Sequence, residues 1–428
     1  MNYADTTNWM FNQLPMYQLV GATAYKADLH NTVELLNILD NPQNKFKTIH
    51  VAGTNGKGTT SHTLASIFQE HGFKTGLYTS PHLHDYRERI RINGVMIPEQ
   101  NVIDFVAEHK GQMEKMQLSF FEMATGMAFD YFAKEKVDIA VVEVGMGGRL
   151  DCTNVIRPEL SIITQISMDH MHFLGDTLEK IAGEKAGIIK ANTPVVIGET
   201  QTEIEHVFKD KAGECNAPIH FADKIFDCDK VHVESLEYQE FDIWKNSELY
   251  MEAVRYPLLG YYQKKNVTTI MCAIDILKDR FNITKKEIAD GLENVVRNTN
   301  LMGRWQVIGK CPLVIADTGH NAGGVKEIVA QLNDMNFNKL HFILGCVNDK
   351  DIDGILGLLP HYAEYYFCKA DIPRGLDAGI LAAKAFKAGL RGNVYESVQH
   401  AYNSAINNAR PNDVVFVGGS NFTVAEII

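Results

Sequence analysis

Apolar residues in this chain fall in short runs separated by segments of helical period. "FKTIHV" (46–51) reads as a buried strand, and "TTSHTLASIFQEHG" (59–72) as a helix stopped by Gly72. "KTGLYTS" (74–80), "VDIAVVEVG" (137–145) and "ELSIITQIS" (159–167) are further strands, followed by the helical "TLEKIAGEKAGIIK" (177–190) and a strand in "TPVVIG" (193–198). Such alternation predicts a mainly parallel sheet covered by helices on both faces. Residues 200–262 have patchier apolar runs and read as a small β-rich elaboration with few helices. Helices return in "QKKNVTTIMCAIDILKDRF" (263–281) and "NITKKEIADGLENV" (282–295). After "RNTNLMGRW" (297–305), strands in "PLVIAD", "KLHFILGCV", "AEYYFCKA", "GNVYES" and "DVVFVGG" suit a Rossmann-like domain. The expected division is therefore 1–296, an α/β domain of phosphate-loop type, and 297–428, a second α/β domain.

Length and charge narrow the function. A chain of 428 residues is too long for one ordinary core. Lys and Arg total 41 against 53 Asp and Glu, a formal charge of −12, which argues against a nucleic-acid binder or attraction to anionic membranes. A polyanionic ligand must be gathered by a few local groups. Seven scattered cysteines show neither zinc-knuckle nor redox spacing, so reduced thiols are expected. No stretch approaches the ~20 apolar residues of a membrane span. The opening residues also lack the basic start and apolar run of a secretory signal, and a cytoplasmic monomer is expected.

The candidate chemistry begins at "IHVAGTNGKGTT" (49–60). The strict G-x-x-x-x-G-K-[ST] pattern fails, because Val51 stands where its first glycine belongs. What remains is a strand, glycines that admit positive φ, a lysine, hydroxyls and a helix start. Backbone N–H groups in such a turn face an anion, the helix end adds partial positive charge, and Lys57 adds a full one. A plain strand-to-helix turn needs one glycine and no lysine; "GTNGKGTT" has three glycines and a lysine.

Ligands in open α/β sheets collect beyond the carboxyl ends of strands. There the pattern places Ser80, Glu143, and Asp169 with His170 at the end of "SIITQISMDH". Hydroxyl and carboxylate oxygens suit Mg²⁺. His170 by itself reads more readily as an ordinary hydrogen-bonded residue. Lys185 lies in a helical stretch, where most lysines are solvated; buried beside a metal it would be neutralised or chemically modified.

"HVAGTNGKGT", "YTSPHL", "RERIRING", "VEVGMGGRLDCTN", "DHMHFLGDTLEKIAGEKAGIIK" and "DTGHN" together resemble folylpolyglutamate synthase and its bifunctional relative dihydrofolate synthase, of the Mur ligase superfamily. The similarity runs from about residue 17 to "VGGSNFTV". It implies that Gly53, Thr54, Asn55, Gly56, Lys57, Gly58 and Thr59 hold ATP phosphates. It implies that Thr59, Ser80, Glu143 and His170 bind Mg²⁺, joined by Lys185 as a carbamate. Asn266, Arg304, Asp317 and His320 match ATP contacts, with the nucleotide between two domains. Phe121, Glu122, Asp151 and Cys152 match the pteridine-binding region. Gly58 after Lys57, where muramyl ligases carry a hydroxyl, would leave room for the phosphates while Thr59 approaches the metal. Two departures stand out: Tyr262-Gln263 where the family usually has His-Gln, and "DTGHN" where it has "DGAHN".

The implied reaction joins L-glutamate to dihydropteroate or a reduced folate through an acyl phosphate. ATP and Mg²⁺ serve it, Lys57 and Lys185 support it, and His320 orients or shuttles protons. Residues 297–303 are the expected hinge. The rivals are a muramyl-type ligase, a small-acid kinase and a nucleotide-gated binding protein.

Overall fold

The computed structural model describes residues 1–13, 28–231, 235–348 and 351–428. Two compact units account for it: Met1–His232 with Glu240–Pro257 and Lys264–Asn300, and Leu301–Ile428 with Val233–Gln239 and Leu258–Gln263.

The first unit is built on an eight-stranded sheet: β1 Lys47–Ala52, β2 Thr75–Tyr78, β3 Ile90–Ile92, β4 Val95–Met96, β5 Ile139–Glu143, β6 Leu160–Ile163, β7 Val195–Ile197 and β8 Ile219–Phe221. The spatial order is β4-β3-β2-β5-β1-β6-β7-β8. From β2 to β8 all neighbours are parallel. β3 and β4 add an antiparallel edge. β5 and β6 are buried at every residue and β1 at all but Lys47, so both faces are covered, which is why they read as unbroken apolar runs. The Lys57–Glu70 helix follows β1 and ends at Gly72 (φ +91°), where the Phe73 amide returns to the Phe68 carbonyl at 3.0 Å.

Three segments differ from the sequence reading. The β3–β4 hairpin was not anticipated; it turns on Asn93-Gly94 (φ +47° and +76°), and its strands are too short to show alternation. The "ELSIITQIS" run stops being strand at Ile163, and the rest forms a loop along the glycine turn. Within 200–262, Glu205–Glu214 is a ten-residue helix and β8 joins the main sheet. Only β9 Phe226–Val231, β10 Gln239–Lys245 and β11 Glu248–Tyr256 make a separate small sheet. Residues 232–234 of that stretch lie outside the described residues.

In the second unit, β12 Gln306–Lys310, β13 Leu313–Ala316, β14 Leu340–Leu344, β15 Glu364–Phe367, β16 Arg391–Val394 and β17 Val414–Gly418 form one sheet, ordered β12-β13-β17-β14-β15-β16. β12 is antiparallel and was not read from the sequence; the other five are parallel. Side chains alternate between two cores, with Ile315, Phe342, Tyr365 and Phe416 in one and Val314, Ile343, Tyr366 and Val415 in the other. Asp317 lies just past the carboxyl end of β13, the edge where ligands of parallel sheets collect.

Candidate active site

Four residues separate β1 from its helix, and two are glycines in left-handed territory, Gly53 (φ +143°) and Gly56 (φ +90°). A Cβ on Gly53 would lie 1.8 Å from Thr164 Oγ1, and one on Gly56 2.3 Å from Asn266 Oδ1, so both positions also need the missing side chain. The second contact places Asn266 directly against the turn.

The turn is pinned to the loop after β6. The Thr54 amide donates to the Gln165 carbonyl (2.7 Å), Asn55 Nδ2 to Gln165 Oε1 (3.1 Å) and Ser167 Oγ (3.0 Å), and Thr164 Oγ1 to the Asn55 carbonyl (2.7 Å). The first helical bond runs from the Thr60 amide to the Gly56 carbonyl (2.9 Å). The amides of Lys57, Gly58 and Thr59 precede that bond at the helix start, a position suited to an anion.

Two lysines meet at this turn. Lys57 Nζ donates to the carbonyls of Gly53 (3.0 Å) and Thr54 (3.1 Å), and Lys185 Nζ to the same Gly53 carbonyl (2.8 Å). Lys185, on the Leu178–Ala186 helix, is only 4% exposed. Burial, then the positive charge of Lys57, pushes it down to about 7 against the pull of Asp169, Asp151 and Glu184. The solvated position that helical pattern alone favoured is thereby overturned. Gly148 explains the burial: a Cβ there would lie 2.8 Å from the Glu184 carbonyl, so the glycine loop presses on the helix at this residue.

Glu143 closes β5, is buried, and accepts from the Ser80 amide at 3.4 Å. A Cβ on Gly145 would be 3.3 Å from Asp151 Oδ2 and 3.6 Å from both Phe121 Cε1 and Ser80 Oγ, so these three side chains converge there. His170 adopts a left-handed conformation (φ +49°), and its amide donates to the carboxylate of its neighbour Asp169 (2.8 Å). Among the described residues no three His, Cys, Asp or Glu side chains form a metal-holding group.

The residues expected at the pteridine have duties within the chain. Asp151 Oδ2 accepts from the amides of Gly145 and Met146 (3.0 Å each), and Oδ1 from the Thr153 amide (3.0 Å) and hydroxyl. Thr153 Oγ1 in turn meets His50 Nε2 at 2.9 Å. Glu122 caps its own helix, Phe120–Lys134, accepting from the Ser119 amide at 2.6 Å. Cys152 opens a short 3₁₀ turn, and burial raises its thiol.

Sequence reasoning assigned no role to Arg89. It is fully buried, its Nε donates to His82 Nδ1 (2.7 Å), and its guanidinium lies 5.1 Å and 5.8 Å from the Phe120 and Phe121 ring centres. Neither Nη1 nor Nη2 has a hydrogen-bond partner among the described residues. The only sequence signal was an arginine inside the apolar "RIRI" alternation, where burial forces a charge inward.

In the second unit Asp317 is a hub. Its Oδ2 accepts from Tyr262 Oη (2.6 Å) and the Trp305 amide (2.7 Å), and its Oδ1 from the Gly319 amide (2.8 Å). Arg304 Nη1 bonds Thr318 Oγ1 and the Gly303 carbonyl. His320 Nδ1 lies 2.9 Å from the Thr318 carbonyl, which makes Nδ1 the protonated nitrogen.

Comparison with known proteins matches residues 51–274 to the Mur ligase middle domain and 303–421 to the Mur ligase, glutamate ligase domain. A probable bifunctional folylpolyglutamate synthase/dihydropteroate synthase of Haloferax volcanii is 35% identical over all of this chain, which spans only 50% of that relative's length. The dihydrofolate synthase/folylpolyglutamate synthase of Bacillus subtilis is 31% identical, with 99% of this chain and 98% of the relative covered. Escherichia coli FolC in complex with DHPP and ADP superposes with a TM-score of 0.86 at 28% identity, covering 100% of this chain and 97% of that one. A bifunctional folylpolyglutamate synthase/dihydrofolate synthase with Mn, AMPPNP and L-glutamate bound gives 0.84 at 29% identity, covering 100% and 97%.

Proposed function

Since this chain belongs to the Mur ligase family, in its folylpolyglutamate synthase/dihydrofolate synthase branch, we propose that it is an ATP-dependent ligase adding L-glutamate to dihydropteroate or to a folate. The observation that carries this reading is the glycine turn itself. Three helix-start amides, Lys57 and Lys185 gather there in an acidic molecule, and Asn266 lies against Gly56.

A free carboxylate resists amine attack because it is anionic and its oxide leaves poorly. Transfer of the ATP γ-phosphoryl group to it gives an acyl phosphate; the glutamate amine then attacks the carbonyl carbon, and inorganic phosphate departs. Lys57 offsets charge on the transferring group, the largest contribution expected in such chemistry. Thr59, Ser80, Glu143, His170 and, as a carbamate, Lys185 are proposed to hold Mg²⁺. When bound, it would supply charge neutralisation at the phosphates. The low proton affinity of Lys185 fits that role, since only the neutral amine can add CO₂. Phe121 offers a face for the flat pteridine ring, and Arg89 a buried charge beside it. Asn266, Arg304, Asp317 and His320 are proposed nucleotide contacts. Residues 1–296 are proposed as the nucleotide and folate part and 297–428 as the glutamate-ligase part, although the first compact unit runs on to Asn300 and the second also takes in Val233–Gln239 and Leu258–Gln263. A monomer in the cytoplasm is proposed; among the described residues no helix is long and apolar enough to cross a membrane.

The test is incubation of the purified chain with ATP, Mg²⁺ and labelled L-glutamate, offering dihydropteroate and a reduced folate separately. Amide products identified by mass are expected. Phosphate release that does not depend on L-glutamate would identify a kinase instead.

A further inference from the structure

Tyr262 lies outside every site residue named from the sequence, yet the structure gives it a defined task. Its hydroxyl and the Trp305 amide share Asp317 Oδ2 at 2.6 Å and 2.7 Å. Trp305 is a bulky residue in the left-handed region (φ +47°), two positions after Gly303 (φ +69°). A turn of that shape persists only where its surroundings over-determine it. Here the Thr318 amide and hydroxyl both donate to the Gly303 carbonyl (3.1 Å and 3.0 Å), and Arg304 Nη1 bonds the same hydroxyl. The Gly303–Trp305 turn is thus stitched along residues 317–319, with Arg304 at its centre.

Tyr262 is itself held firmly. The Tyr261 amide donates to Gln331 Oε1 (2.7 Å), and Gln331 Nε2 to the Leu259 carbonyl (3.0 Å), which ties the segment to the Ala322–Asp334 helix. Gly260 leaves room for the ring: a Cβ there would lie 2.6 Å from Tyr262 Cε1.

We propose that Tyr262 is a positioning residue for nucleotide binding: its hydroxyl fixes the Asp317 carboxylate and, through it, the turn that carries Arg304. The inference rests on the ligase reading, in which Arg304 and Asp317 contact ATP. Asp317 is buried, and without the phenol one of its oxygens loses a donor that water cannot easily replace. The carboxylate then gains freedom to rotate away from the Trp305 amide.

The experiment uses the full chain and Tyr262→Phe, which removes one oxygen atom. ADP affinity by calorimetry and steady-state kinetics are both read, with Lys57→Ala and Tyr261→Phe as controls. The expected result is about a fivefold loss of ADP affinity and a similar rise in KM for ATP. The change in kcat, in KM for glutamate and in melting temperature should be much smaller, and Tyr261→Phe should match the parent. Unchanged ADP affinity and KM for ATP in Tyr262→Phe overturn the proposal while leaving the ligase reading intact. A parallel loss of kcat, both KM values and melting temperature also overturns it, because that marks general loosening. A parent chain that binds no ADP, and is indistinguishable from Lys57→Ala, overturns both.

Discussion

Lys57 and Lys185 share one carbonyl acceptor, yet removing each should have a different signature. Lys57→Ala should abolish measurable ligation, a loss of at least about a hundredfold in kcat, with the melting temperature nearly unchanged; glutamate-dependent phosphate release is the assay. Lys185 should instead reveal itself in stability. Its ammonium is held down to about 7 from 10.5, so between those values the unfolded chain binds more protons than the folded one. Stability contributed by this group therefore rises from pH 7 toward pH 10, by a few kcal/mol. In Lys185→Met that rise should vanish, measured as urea midpoints at pH 7 and pH 10 in metal-free buffer. Equal pH dependence in the two proteins would mean the lysine titrates normally. Periodicity could not supply this result: the helical pattern of "TLEKIAGEKAGIIK" is the same whether position 185 faces water or a glycine loop.

At the scale of elements, the long buried strands were legible and the short ones were not. β1, β5 and β6 lie under helices on both faces, so selection for apolar, β-branched residues leaves continuous runs. The β3–β4 hairpin carries its information in the Asn93-Gly94 turn rather than in its strands. A Cβ on Gly94 would lie 2.1 Å from the Asn298 carbonyl, on top of a φ of +76°. Gly94→Ala should accordingly destabilise the protein by roughly 2 kcal/mol or more, seen as a lower urea midpoint at constant slope. A midpoint within error of the parent would show that the turn tolerates a side chain. The Glu205–Glu214 helix was lost in a polar sequence, because only Phe208 and Ala212 of its residues are buried.

For the whole molecule, ligand binding should couple to global stability. ADP at a hundred times its dissociation constant should add about 2.7 kcal/mol, visible as a higher melting temperature. Lys57→Ala should abolish the shift, whereas a shift retained in that variant would move the nucleotide away from the glycine turn. The sequence by itself determined two mainly parallel sheets and a strand–glycine turn–lysine–helix unit. These follow from short continuous apolar runs, from the 3.6-residue helical period and from backbone angles only glycine adopts freely, all short-range properties of the chain. Only the tertiary structure decided which polar groups are buried and what they touch. It buried Lys185, turned Asp151 and Glu122 to backbone amides, left the Arg89 Nη atoms without hydrogen-bond partners among the described residues and joined Tyr262 to Asp317. Those outcomes depend on contacts between residues far apart in sequence, where desolvation and hydrogen bonding are settled by packing rather than by local pattern.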